Sequence, residues 1–207
     1  MVAIESFCDS DFWEVAEFLG RLWHDEHSSE QAHWCGADEL CWHLACSQAS
    51  FVARSDAGVF QGIALVRSDF SFKDEHWIAK GNEIKAAALA DGYDSTIDNI
   101  YANDEDAILA EAAQQEGIEH TGELVLLALE DSARGQGLGA RLLNCALLWL
   151  QQQGCSTFRL VTDDACDISF YDHLGIGQLM KRQSSSGEDF DIYVYQTSVA
   201  DVLKRLG

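Results

Sequence analysis

The sequence predicts an α/β domain with a helical insertion in its middle, and three observations predict it. A strand-like run, ELVLLAL from Glu123, leads through the glycine-rich EDSARGQGLGARLL into a long helix with one apolar face. The stretch SFVARSDAGVFQGIALVRS reads as a β-hairpin: two β-rich runs separated by a polar turn that contains Gly58. Between hairpin and glycine loop, residues 69–120 change to Ala-rich and acid-rich sequence of helical character.

Taken in order, residues 3–7 form a short first strand. Asp11 is an N-cap with Glu14 three residues on, an acidic variant of the capping box. Phe12, Val15, Ala16, Leu19, Leu22 and Trp23 follow with helical spacing. A second, short helix covers residues 38–46, and the hairpin comes next. In residues 69–120, KAAALA and NDEDAILAEAAQQEG are helical, the latter with Asn103 as N-cap and Gly117 as stop. This insertion packs on the domain; a mobile acidic lid is the alternative. After ELVLLAL, residues 137–153 form the long helix, its face made by Leu138, Leu142, Cys145, Ala146 and Trp149, and Gly154 stops it. FRLVT is a strand, DISFYDHLG a short helix, IGQLMKR and DFDIYVYQT a final strand pair, and ADVLKRLG one last helical turn or two. The 207 residues suit one domain, and with no proline there is no proline-rich linker.

Composition narrows the function. Apolar residues make up 47% of the chain, enough for a sizeable core. The formal net charge is -22, which repels phosphate backbones, so nucleic acid is a poor partner and a cationic one is easier. Acids outnumber Lys+Arg by 11 to 3 over residues 1–68, 13 to 3 over 69–120 and 11 to 7 over 121–207. Either this acidity steers a partner or it only confers solubility. No run of about 18 apolar residues suggests a membrane span. An odd count of seven cysteines with no visible signal peptide points to free thiols and a cytoplasmic setting.

The chemistry is concentrated in the glycine loop. Arg134, Gly137 and Gly139 give the spacing R-x-x-G-x-G between a strand and a helix. Glycines allow a sharp turn and close approach of backbone N–H groups. The first N–H groups of the helix lack internal partners and, with the helix dipole, make an anion site. A Walker A loop is excluded, since Gly-Ala-Arg stands where Gly-Lys-Ser/Thr is needed. Gly135, Gly137 and Ala140 satisfy a dinucleotide fingerprint formally. Yet four residues separate the strand end near Leu129 from Arg134, and no acidic residue ends a following strand about 20 residues on. A tight turn without a ligand is the bland alternative.

At RGQGLG the chain resembles the GNAT superfamily of acyl-coenzyme A N-acyltransferases, whose signature is [QR]-x-x-G-x-[GA]. The hairpin resembles the family's second and third strands, ELVLLAL its central strand, and ISFYDHLGI its second signature. The sequence departs from that signature at Asp164, Asp167 and Ile176, and lacks the proline that often precedes the loop. The resemblance implies a mixed, largely antiparallel sheet flanked by helices, and it leaves the insertion at about 69–120 without a counterpart. It implies acetyl-CoA as co-substrate. The pyrophosphate would lie on Arg134, Gly135, Gln136, Gly137, Leu138, Gly139 and Ala140, and the pantetheine arm along Leu127, Ala128 and Leu129. A strand bulge is expected near residues 126–128. The acetyl group would pass to a primary amine attacking the thioester directly. Glu123 takes the family position of a catalytic base, or is only a strand-edge carboxylate. Tyr171 takes that of the general acid, or is only a packing residue. The alternative function is a degenerate coenzyme A-binding or protein-interaction module.

His24, His27, His33, Cys35, Cys41, His43 and Cys46 crowd one stretch, but their spacing fits no common zinc finger. Buried cysteines and solvent-facing histidines on two helices are expected instead, with no metal. Trp34 and Trp42 either wall an acceptor pocket or belong to the core. The acceptor, a small molecule or a protein, is expected to be cationic, with the insertion bordering its entrance. No nucleic-acid or membrane partner is expected, and a homodimer is possible.

Overall fold

The computed structural model describes residues 2–95, 99–116, 120–164, 166–185 and 190–207. Its strands are β1 (Ala3–Glu5), β2 (Ala49–Arg54), β3 (Phe60–Arg67), β4 (Thr121–Leu129), β5 (Thr157–Asp163), β6 (Gly177–Gln183) and β7 (Asp191–Ser198). Among the described residues they make one open sheet in the order β1-β2-β3-β4-β5-β7-β6. All neighbours are antiparallel except β4 and β5, which run parallel. The sheet is therefore mixed and largely antiparallel.

Side chains alternate across each strand, and the alternation divides the core in two. On one face Ala53, Ala64, Val66, Phe158 and Leu160 pack against α5 (Leu138–Gln152) and α7 (Val199–Leu206). On the other, Val52, Ile63 and Leu65 pack against α1 (Phe12–Trp23) and α2 (Ser29–Ala45). These helices approach closely at Gly20 and Gly36, where a Cβ on Gly36 would lie 2.2 Å from the Ala16 carbonyl oxygen.

The helices correct the sequence reading at two boundaries and in the role of one capping side chain. The second helix is not a short one over residues 38–46. It starts at Ser29, where the Ser28 hydroxyl accepts the Gln31 N–H. Its sandwiching between α1 and α3 (Glu75–Ala90) spreads small and apolar residues around it and blurs the periodicity. Asp11 does stand at the N-cap position of α1, but its side chain makes no capping hydrogen bond. Its carboxylate accepts the Cys8 N–H and pairs with Arg54 at 2.6 Å. Asn103 is not an N-cap, because α4 (Asn99–Glu116) already starts at Asn99; Gly117, expected as the stop, lies outside the described residues.

The stretch 69–120 thus supplies two helices. Asp74 caps α3 by accepting the His76 N–H, and Gly81 sits against Cys41 of α2. Ile108 and Ala112 of α4 pack on Ile192 and Val194 of β7, opposite α5. Asp104 fixes that helix by accepting from the Ser184 hydroxyl and from the Ser185 N–H and hydroxyl. α4 therefore covers the half of the sheet that α1 and α2 leave open.

Candidate active site

The strand β4 sets the site. It pairs with β5 only at Thr121, Gly122 and Glu123, and from Leu124 onward that edge has no strand partner among the described residues. The two strands splay, and the gap between them opens a cavity of about 340 Å³, walled by residues 124–127 on one side and 160–163 on the other. On its other edge β4 carries a bulge. Leu65 pairs with Leu126 and Val66 with Leu124, so Val125 is the extra residue. The bulge falls just before the expected residues 126–128.

At the end of β4 a 3-10 turn, Asp131–Ala133, leads into the glycine loop. Gly135 (φ 71°) and Gly137 (φ 74°) both adopt the left-handed conformation, and Gly137 is the N-cap of α5. A Cβ at either would meet nothing within 4 Å, so the loop presents bare backbone to open space. With the unpartnered N–H groups of the first helical turn, this makes a cradle for an anion. Arg134 is half-exposed and pairs with Asp131 at 3.3 Å, and the Gln136 amide donates to the Ser132 carbonyl. Leu138 is buried, and Ala140 half-buried. Gly139 stands 3.5 Å from Leu129 and 3.6 Å from Phe170 at its Cβ position, which joins the loop to α6 (Ser169–His173). Leu127 lines the cavity, whereas Ala128 turns to the α1–α2 core.

Tyr171 of α6 also lines the cavity. Its ring lies 5.6 Å from that of Tyr195, and burial pushes its hydroxyl above the ordinary phenol range. Of the departures from the second signature, Asp164 accepts from the Tyr193 hydroxyl at 2.5 Å, and Ile176 is a core residue.

The family described as Acetyltransferase (GNAT) domain matches residues 72–175, half of the chain. The chain belongs to the GNAT acetyltransferase family. Solved structures share its fold at low identity. The ribosomal-protein-S18-alanine N-acetyltransferase from Escherichia coli is 13% identical, with 96% of this chain and 94% of that one covered at a TM-score of 0.55. An N-acetyltransferase from Staphylococcus aureus Mu50 is also 13% identical, covering 96% and 99% at 0.54. A Salmonella typhimurium protein, solved with its cofactor acetyl-CoA, is 14% identical over 96% and 94% at 0.53. No curated protein matches the chain by sequence.

In this GNAT domain the acidic groups fall into distinct settings. Glu123 is 3% exposed and is gripped by Arg67 through contacts of 2.8, 3.0 and 3.1 Å. Burial pushes its carboxyl up, while the charge and hydrogen bonds of Arg67 oppose this. Glu123 is not among the residues that line the cavity, so the sequence-predicted base and Tyr171 are not brought to one wall. Glu39 does line it. Its carboxylate lies 3.1 Å from Nε2 of His43 and 3.9 Å from Nε2 of His24. Burial would raise Glu39, but the two histidines outweigh it and bring the group down to about 2. Glu105 of α4 lines the same space.

Sequence reasoning missed Glu39, Glu105, Trp23 and Asp163 as cavity residues. Only the Glu39/His43 spacing of i,i+4 offered a local signal. His43 is 7% exposed, not solvent-facing, because α2 is covered on more than one side. Of the two tryptophans considered, Trp42 lines the cavity and Trp34 packs with the α1–α2 core. Cys35, Cys41 and Cys46 are buried and free. Among the described residues, His24, Glu26 and His27 bring ligand-type atoms within 4.8 Å of one another. No described helix is long and apolar enough to cross a membrane.

Proposed function

We propose that the protein transfers an acetyl group from acetyl-CoA to a cationic primary amine. The observation that carries this reading is the splay between β4 and β5, with an acid-lined cavity within and the glycine cradle following the Leu129 end of β4. The cradle suits a pyrophosphate, and the free edge of β4 along Leu127, Ala128 and Leu129 suits an extended arm that pairs like an added strand. The bulge at Val125 interrupts the ladder where a backbone N–H can face a thioester carbonyl and its developing oxyanion. Tyr171, kept protonated by burial, suits the proton donor to the departing thiolate.

The acceptor class follows from the lining. Glu39, Glu105 and Asp163 face the cavity, Trp23 and Trp42 add aromatic surface, and no Lys or Arg among the described residues lines it. Such a wall attracts an alkylammonium group and rejects an amine that also carries a carboxylate. The test is a panel of amines, from diamines and polyamines to glutamate, assayed for thiol release with acetyl-CoA. Turnover is expected with the cationic members and not with glutamate. Coenzyme binding without thiol release from any amine would make the protein a coenzyme A-binding module instead.

A further inference from the structure

Resting on that acetyltransferase reading, we propose that Glu105, carried by α4, is the group that takes the proton from the acceptor amine. The first argument is position. Glu105 reaches the cavity that Tyr171 and the bulged β4 also line, although it comes from a helix between β3 and β4. α4 is held there independently of Glu105, by Asp104 on Ser184 and Ser185 and by Ile108 and Ala112 on β7.

The second argument is that its carboxylate is spare. Asp104 accepts three hydrogen bonds, Glu123 is engaged by Arg67, and Glu39 sits between His24 and His43. No hydrogen bond or ion pair engages the Glu105 side chain among the described residues. A desolvated carboxylate that lines a cavity with no partner calls for a cation or a proton.

The groups around Glu105 sharpen its role. Burial and then the negative charges of Glu123, Glu39 and Asp106 push Glu105 up to about 8, with Arg67 opposing. His24 and His43 face the same cavity beside Glu39, and Asp163, Cys166 and Tyr171 close its other wall. Glu39 at about 2 is too weak a base to deprotonate an amine, whereas a carboxyl near 8 is poised to do so at neutral pH. In the reaction, Glu105 accepts one proton from the ammonium group and later releases it to solvent. The nitrogen lone pair forms the C–N bond at the thioester carbon, and the C–S bond breaks. Tyr171 protonates the sulfur and is restored by the second proton that the nitrogen loses.

The experiment is Glu105→Gln, compared with wild type for kcat and KM across pH and for acetyl-CoA affinity by calorimetry. The expected result is a fall in kcat of about 10²–10⁴-fold with coenzyme affinity unchanged. The rate of the variant should keep rising about tenfold per pH unit toward the pKa of the free amine, in place of the limb that Glu105 sets. Folding has its own readout. A carboxyl raised to about 8 in the fold and near 4.5 when unfolded stabilises the fold fully below 4.5, and that contribution is lost as pH rises to 8. Glu105→Gln should flatten this decline in melting temperature. An active wild type whose Glu105→Gln variant keeps its kcat and pH profile, or changes only KM, overturns the proposal alone. A wild type that releases no thiol with any amine overturns the acetyltransferase reading and the proposal with it.

Discussion

The two ends of the β4–β5 splay are built by opposite means. The glycine loop is one contiguous segment that presents backbone to open space, because Gly135 and Gly137 take positive φ. The cavity behind it is assembled from side chains of α1, α2, α4, β4, β5 and α6, with no two consecutive elements sufficing. A site made of backbone leaves its mark in residue spacing, since only glycine permits the conformation. A site made of side chains leaves its mark only where the fold converges.

Four outcomes break or sharpen that contrast. The largest is expected on the side-chain end, where Tyr171→Phe should lower kcat by about 10²–10⁴-fold and leave the affinity for acetyl-CoA nearly unchanged, as calorimetry can check. Normal turnover in that variant would move the proton donor elsewhere. Next, Glu123→Gln strands the Arg67 charge and should cost about 3–5 kcal/mol in denaturant unfolding. Replacing both partners together by Leu and Met should cost far less. If Glu123→Gln instead abolishes the pH dependence of a stable enzyme, Glu123 is the base after all and the division between the two carboxylates collapses.

On the backbone end, Gly137→Val forces a β-branched residue to φ 74° and should cost about 1–2 kcal/mol of stability. It should also weaken acetyl-CoA binding by at least about tenfold, because the added side chain enters the open space where an anion would approach; a tenfold loss is about 1.4 kcal/mol. A folded variant with unchanged affinity would remove the loop from the coenzyme site. The smallest effect concerns acceptor steering. Exposed charges are screened beyond about 8 Å at physiological salt, so raising salt should increase acceptor KM by about two- to threefold and coenzyme KM less. An acceptor KM indifferent to salt would leave the acidity with solubility as its only role.

The legible part of the molecule was the part with local causes. The strand–loop–helix succession, the hairpin and the amphipathic face of α5 were readable, because each is set by residues within one or two turns of one another. The full length of α2 is not legible, because burial on several sides erases the one-faced pattern. Glu123 stands out only through the family resemblance, and nothing local announces Arg67, 56 residues away, whose guanidinium engages it. Nothing local distinguishes Glu105 from the other acids of its helix, since its turn toward the cavity depends on how α4 lies across β6 and β7.

By itself, then, the sequence determined that this chain folds as a mixed α/β domain around a glycine turn between a strand and a long helix. Backbone conformation at such a turn is a short-range matter, written in the glycines that tolerate it. Tertiary structure alone decided which carboxylates face the cavity and which of them are tied down. Desolvation and ion pairing depend on neighbours brought from distant segments, and these fix both the charge of a group and its availability.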